Sequence, residues 1–246
     1  MANTAILFVD LLGVQKMWVE GGADAVKARI NEFNSFVVKQ LEFLPADLHK
    51  EGEYTAILAA DGVSIMCQDF DQAIGIGSHL YVQAFYDTDK RPQPFWLRGA
   101  IGKWHNQYLP MNTQPIEAKG LQIGTQYINE DDFLEVLALE KSGFRGMRLI
   151  VDKKALVSGG RAYQRNWASC RKTLGYVATL KECTYPPGGD FADVLWMTKS
   201  EDQYGQLRGI MAHRFKTCTQ NELEFSQAAW TRSVFDQVDS IIVGCK

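Results

Sequence analysis

The chain has 246 residues, 46% of them hydrophobic, which is enough for one large domain, or one domain with a sizeable extension, around a real core. Its formal net charge is −3, and no run of Lys and Arg is dense enough to track a phosphate backbone, so nucleic acid and anionic membrane are excluded as partners. The five cysteines (Cys67, Cys170, Cys183, Cys218 and Cys245) are odd in number and form no CxxC pair, which excludes a disulfide framework and a structural zinc and fits the reducing cytoplasm.

The first element is a strand. Ala5-Ile6-Leu7-Phe8-Val9 is an apolar run of strand formers that ends in Asp10-Leu11-Leu12-Gly13, a buried strand breaking into a turn with an acid at its mouth. No charged-then-apolar leader precedes it, and no apolar run approaches the roughly 18 residues of a membrane span, so a cytoplasmic chain is expected. Val26, Ile30, Phe33, Val37 and Leu41 then recur at helical spacing, which predicts an amphipathic helix from Asp24 to Phe43, stopped by Pro45. Tyr54 to Cys67 is two apolar segments joined by Asp61-Gly62, a strong hairpin signal that again leaves an acid at a strand end.

Ala73, Gly77, Leu80 and Ala84, widened by Ile74, Tyr81 and Phe85, predict a second helix over Asp71 to Tyr86. After the polar break Lys90 to Pro94, the stretch Phe95 to Trp104 alternates as a strand studded with glycines. Strand, helix, hairpin, helix, strand is an α/β (α+β) plan with helices packed on one sheet. Helical periodicity returns from about Asp131 to Lys141, and Met147 to Asp152 reads as another strand.

Beyond Lys153 the pattern loosens. Gly159-Gly160 and Pro186 to Gly189 mark loops, Tyr176 to Leu180 and Asp193 to Trp196 are short strand candidates, and Glu201 to Cys218 and Asn221 to Val243 are helices. The organisation expected is a catalytic-type domain over 1–152 with a carboxy-terminal elaboration over 153–246, a mixed strand and helix extension packed on it. The four histidines show no HxxxH or HExxH spacing and read as surface or helix residues. Trp18, Trp104, Trp167, Trp196 and Trp230 read as packing residues of the core or of a subunit contact.

If the first strand and the hairpin are neighbours, Asp10 and Asp61 converge, and two carboxylates open to water are a natural cradle for magnesium or manganese carrying a nucleoside triphosphate. Three features come in fixed order: Phe8-Val9-Asp10-Leu11-Leu12-Gly13, the Asp61-Gly62 hairpin, and Leu97-Arg98-Gly99-Ala100-Ile101-Gly102. In these the chain resembles the class III nucleotidyl cyclases, most closely the compact bacterial pyrimidine (uridylate or cytidylate) cyclases of Pycsar anti-phage signalling, over roughly residues 5 to 152. The resemblance implies a ferredoxin-type sheet with helices packed on it. It implies Asp10 and Asp61, with the Leu11 carbonyl, as ligands of two Mn²⁺ or Mg²⁺ ions, and Leu12, Gly13 and Val14 as a turn whose N–H groups meet the β- and γ-phosphates. It further implies a homodimer with sites at or near the interface, and a cyclic nucleotide product that acts on a separate effector.

The chain also departs from the family. Ala59-Ala60 stands where Gly often precedes the hairpin acid, and Ile57 stands where purine cyclases carry a polar residue. Nothing between Leu134 and Glu140 matches the transition-state Asn and Arg, which leaves Arg98, Lys103, Arg145 and Arg148 as the cations able to meet charge on the α-phosphate. These losses favour a pyrimidine triphosphate, and the resemblance implies UTP before CTP. For the base the candidates are Arg98, whose fork suits a pyrimidine carbonyl, and Tyr54, which could stack on or bond to a small ring. Tyr54 lies an odd number of positions from Asp61, so it faces the other way unless the strand is bulged or the residue reaches in from the strand start. The catalytic candidates are thus Asp10, Asp61 and Arg98. A degenerate cyclase-like domain that binds nucleotide or protein without turnover is the alternative, and a diguanylate cyclase is set aside for want of Gly-Gly-Asp-Glu-Phe.

Overall fold

A computed structural model of the protein describes residues 5–45, 48, 54–86, 95–104, 116–118, 121–123, 135, 146–152, 180–182, 191–194, 196–197, 201–217 and 222–244. Strand β1 (Ala5–Leu11) is central. Its alternate residues Ala5, Leu7, Val9 and Leu11 join the core shared with the helices, while Ile6, Phe8 and Asp10 take the other face. Helix α1 (Val14–Glu42) follows, then the hairpin β2 (Thr55–Ala59) and β3 (Gly62–Cys67), helix α2 (Phe70–Tyr86) and β4 (Leu97–Lys103). These four strands lie in the order β2-β3-β1-β4, every neighbour antiparallel, the βαββαβ arrangement of a ferredoxin-type sheet.

The same sheet is longer than that unit. Strands β5 (Ile116–Ala118) and β6 (Leu121–Ile123), for which the sequence carried no expectation, extend it beyond β2. On the other side β7 (Arg148–Asp152) runs parallel to β4, followed by β9 (Phe191–Val194) and β8 (Leu180–Glu182). Helices α3 (Glu201–Thr217) and α4 (Glu222–Gly244) close the chain. Phe85 of α2 packs on Trp196 and on Phe235 of α4, each ring pair 5.6 Å apart, and the Met147 N–H donates to the Thr231 hydroxyl at 2.9 Å. Residues before and after 153 therefore share one sheet and one aromatic core.

Several elements differ from expectation. Helix α1 begins at Val14 rather than Asp24, and Gly22 (φ 70°, ψ −171°) breaks it into two pieces. That break hid the first piece, whose Trp18 (58% exposed) and Val19 (80%) present no buried stripe to reveal a period. The strand expected over Asp193 to Trp196 instead spans Phe191–Val194, with Trp196 in a turn where its indole donates to the Met147 carbonyl. The helix expected over 131–141, apart from Glu135, and the strand residues 176–179 lie outside the described residues.

Gly99 of β4 has a packing reason. A Cβ on Gly99 would meet the Phe8 carbonyl oxygen at 2.5 Å and the Tyr81 hydroxyl at 3.0 Å, so α2 lies directly on the strand there. Tyr81 in turn donates to the Arg148 carbonyl at 2.8 Å, tying α2 to β7.

Candidate functional site

Register brings the predicted acids together. Asp10 is the penultimate residue of β1 and lies opposite Gly62 of β3, which puts the two Cα atoms about 4.5–5.5 Å apart. Asp61 immediately precedes Gly62, and its carbonyl accepts the Leu11 N–H at 2.9 Å. Asp10, Leu11 and Asp61 thus sit at one end of the two central strands. Both acids are partly exposed.

The hairpin is shifted by one residue from the expected turn. Its two central residues are Ala60 and Asp61, Ala60 carries φ 52°, and Gly62 is already paired with Ala59 as the first residue of β3. Gly62 is needed for space rather than for a left-handed backbone, because the Phe8 ring lies over it. The Phe8 ring takes the space a side chain would fill and so floors the hairpin flank of Asp10.

The other flank of Asp10 is cationic. Arg98 of β4 lies opposite Asp10, and its Nη2 is 3.5 Å from Asp10 Oδ2, with the two side chains 25% and 19% exposed. Arg148 of β7 is the register partner of Arg98, so Asp10, Arg98 and Arg148 form a row on one face of three adjacent strands. Of the other candidate cations, Lys103 lies opposite Ala5 at the far end of β1, away from the acids, and Arg145 is outside the described residues.

The turn after β1 leads into a helix start fit for an anion. Gly13, at φ 92° and ψ 0°, is the residue before α1, makes no side-chain cap, and no acid lies in the first turn. Lys16 in that turn adds a cation, paired with Glu20 at 3.5 Å. The Leu12 N–H donates to the Trp96 carbonyl at 2.8 Å, so of the three predicted donors Leu12 is already committed, and Gly13 and Val14 are left.

Tyr54 is not brought to this cluster. It is 4% exposed within the helix-side core, its hydroxyl donates to the Leu41 carbonyl at 2.9 Å, and burial pushes its pKa up to about 12. Strand parity holds here without a bulge, and the residue ties the end of α1 to the sheet. What the sequence did not reveal is the part played by Phe8 and Gly62 in shaping the floor beside the acids; the alternation of β1 puts Phe8 and Asp10 on one face, but only register places Gly62 beneath them.

The donor set, two carboxylates and a nearby backbone carbonyl, is all hard oxygen, which suits Mg²⁺ or Mn²⁺ better than a soft metal. Among the described residues no group of three or more His, Cys, Asp or Glu side chains gathers to hold a metal, so any ion here depends on this pair and on what a ligand brings. Also among the described residues, no helix is long and apolar enough to cross a membrane.

No family model and no curated protein matches the chain. Among solved structures the fold is similar to the crystal structure of the guanylyl cyclase Cya2, with 13% identity, a TM-score of 0.45, and coverage of 79% of this chain and 94% of that chain.

Proposed function

We propose that the protein is a metal-dependent nucleotidyl cyclase that converts a pyrimidine nucleoside triphosphate, UTP before CTP, to the 3′,5′-cyclic monophosphate and pyrophosphate. The observation that carries this reading is the pairing of Asp10 with Gly62, which sets Asp10 and Asp61 on adjacent strand ends directly before the open start of α1. Asp10, Asp61 and the Leu11 carbonyl would hold the ions. Bound there, divalent cations supply neutralisation of the triphosphate and a lowered pKa for the ribose 3′-hydroxyl.

The chain's own groups do the rest. Gly13 and Val14 N–H groups, helped by the helix start and Lys16, bind and orient the terminal phosphates, so that the pyrophosphate leaves into a field that favours its charge. Arg98 and Arg148 stand on the acid side of the sheet, where they can balance charge on the α-phosphate. The 3′-oxygen forms its bond to the α-phosphorus as the bond from that phosphorus to the bridging oxygen breaks, and the hydroxyl proton passes to solvent. Residues 153–246 act as an elaboration on the catalytic domain 1–152. The enzyme works as a homodimer in the cytoplasm, and its product signals to a separate effector in antiviral defence.

The test is incubation of purified protein with ATP, GTP, CTP and UTP in manganese buffer, with Asp61→Ala alongside, and mass analysis of the products. Cyclic UMP from the wild type and none from the mutant is the expected result. No cyclic product from any triphosphate would overturn the reading in favour of a binding domain without turnover.

A further inference from the structure

We propose that the outer face of α1 is a docking surface for a second copy of this chain, which lies antiparallel along it about a two-fold axis between Ser35 and Phe36. The contact goes beyond the cyclase reading and needs no part of it. Phe33, Val37 and Leu41 pack α1 on the helix-side core, so the outer face of α1 is separated by the whole sheet from the face that carries Asp10. A stripe on that outer face lines an open groove of about 710 Å³, in which Ala28, Glu32, Ser35, Phe36, Lys39 and Phe43 recur at helical spacing. Phe36 is buried at the floor and the other five are exposed. Phe43, at the end of the stripe, is 68% exposed and offers a ring without cover.

The stripe is complementary to itself. Ser35 and Phe36, Glu32 and Lys39, and Ala28 and Phe43 are pairs that share one midpoint, so two antiparallel copies related by a two-fold there bring each member of a pair opposite the other. Glu32 of each copy meets Lys39 of the second copy, an ion pair formed twice by one symmetry operation. Phe43 meets Ala28, a large side chain over a small one, and at the centre the short Ser35 side chain lets the helices approach. A parallel pairing would set Glu32 on Glu32 and Lys39 on Lys39, so charge chooses the direction. Glu32 also accepts from Arg29 of its own chain at 3.1 Å, but its side chain is 57% exposed, which leaves room for a second cation. With one ring at each end and few other apolar groups, the contact belongs to the weak, reversible class.

Sedimentation velocity over a concentration series reads the association of the full chain. The wild type should pair with a dissociation constant on the order of 10–100 µM. Glu32→Lys and Lys39→Glu each set like charges across the contact twice, and each should weaken pairing at least about tenfold. The double variant, Glu32→Lys with Lys39→Glu, swaps the charges and should return pairing to within about threefold of the wild type. In an equal mixture the two single variants should pair with each other as the wild type does with itself, which also shows that each is folded. Phe43→Ala, at an exposed position, should weaken pairing about three- to tenfold. If another surface also pairs the chains, the same changes are read on the further step of assembly. A wild type whose association the single charge changes leave intact, or one that stays monomeric throughout, overturns the contact. So does a loss of pairing that neither the double variant nor the mixture restores. None of these readouts uses turnover, so failure of the cyclase reading leaves the contact standing, and failure of the contact leaves the cyclase reading standing.

Discussion

The Phe8 ring lies across Gly62: a Cβ on Gly62 would stand 2.9 Å from Phe8 Cζ, 3.0 Å from Cε2 and 3.4 Å from the Val9 carbonyl oxygen. Phe8 is 9% exposed, so its ring has little room to yield. Gly62→Ala sets two effects against each other. Alanine in a strand gains about 0.5–1 kcal/mol over glycine, while overpacking a close contact costs about 1–3 kcal/mol. The clash should win. Urea denaturation is expected to show Gly62→Ala about 1–2 kcal/mol less stable than the wild type, and most of that cost should vanish when the same change is made in Phe8→Leu and compared with Phe8→Leu alone. An equal cost of Gly62→Ala in the wild-type and Phe8→Leu backgrounds would mean that the Phe8 contact is not the cause.

Tyr54 links the helix end to alkaline stability. Burial raises its pKa from 10.0 to about 12, so the native state holds the phenolic proton after the unfolded chain has released it. A raised folded pKa gives stability that is whole below the unfolded value and is lost as pH climbs through the folded one. The wild type should therefore lose stability between pH 10 and about 12. Tyr54→Phe should be less stable by about 0.5–1.5 kcal/mol at neutral pH, through loss of its bond to the Leu41 carbonyl. Across the alkaline window its curve should fall less steeply. It will still fall, because burial also raises Cys67, Tyr86 and Tyr204. Denaturant midpoints at a series of pH values read this directly, and parallel curves for the two proteins would count against it.

How much of this was legible in the sequence depended on where the apolar pattern had a single buried face. Phe33, Val37 and Leu41 fixed the second piece of α1, and Ala73 to Phe85 fixed α2 to within a residue, because each stripe is buried. The acids were legible because Asp10 and Asp61 each end an apolar run. Register was not legible: that Arg98 falls opposite Asp10, or that Gly62 belongs to the strand and not to the turn, depends on pairing between segments far apart in the chain. Tyr54 misled as a base contact because its residue type suits a nucleobase as well as it suits a helix-end carbonyl. Strands of three residues such as β5 and β6 are too short for any period to declare them.

The break in α1 gives a third prediction. Gly22 has a backbone that only glycine adopts readily, yet nothing lies within 4 Å of where its Cβ would be. Any cost of Gly22→Ala is therefore conformational, about 1–3 kcal/mol if the break is kept. The alternative open to the chain is to straighten, which swings the piece from Val14 to Gly21 and carries the helix start away from the acids. The proposed cyclase activity should then fall much further than stability does, a split that activity assays and thermal melts on the same sample would show. Loss of stability with specific activity intact would instead mean that the break is held.

Ala60 is the converse case. It is the sole non-glycine residue with positive φ among the described residues, at 52°, and it sits directly before Asp61. A left-handed alanine costs about 1–2 kcal/mol because its Cβ crowds the carbonyl that follows. Glycine has no such cost, but it loses more backbone entropy on folding, an offset of about 0.4–1 kcal/mol. The strain is the larger of the two, so Ala60→Gly should raise the unfolding free energy by up to about 1 kcal/mol. The same freedom loosens the turn that aims Asp61, while the Leu11 bond to the Asp61 carbonyl keeps the backbone in place. Ala60→Gly is thus expected to gain stability while weakening Mn²⁺ binding at the proposed site no more than a few-fold. Denaturation and metal titration of the one variant test both halves, and a clear loss of stability would show that the turn does not carry this strain.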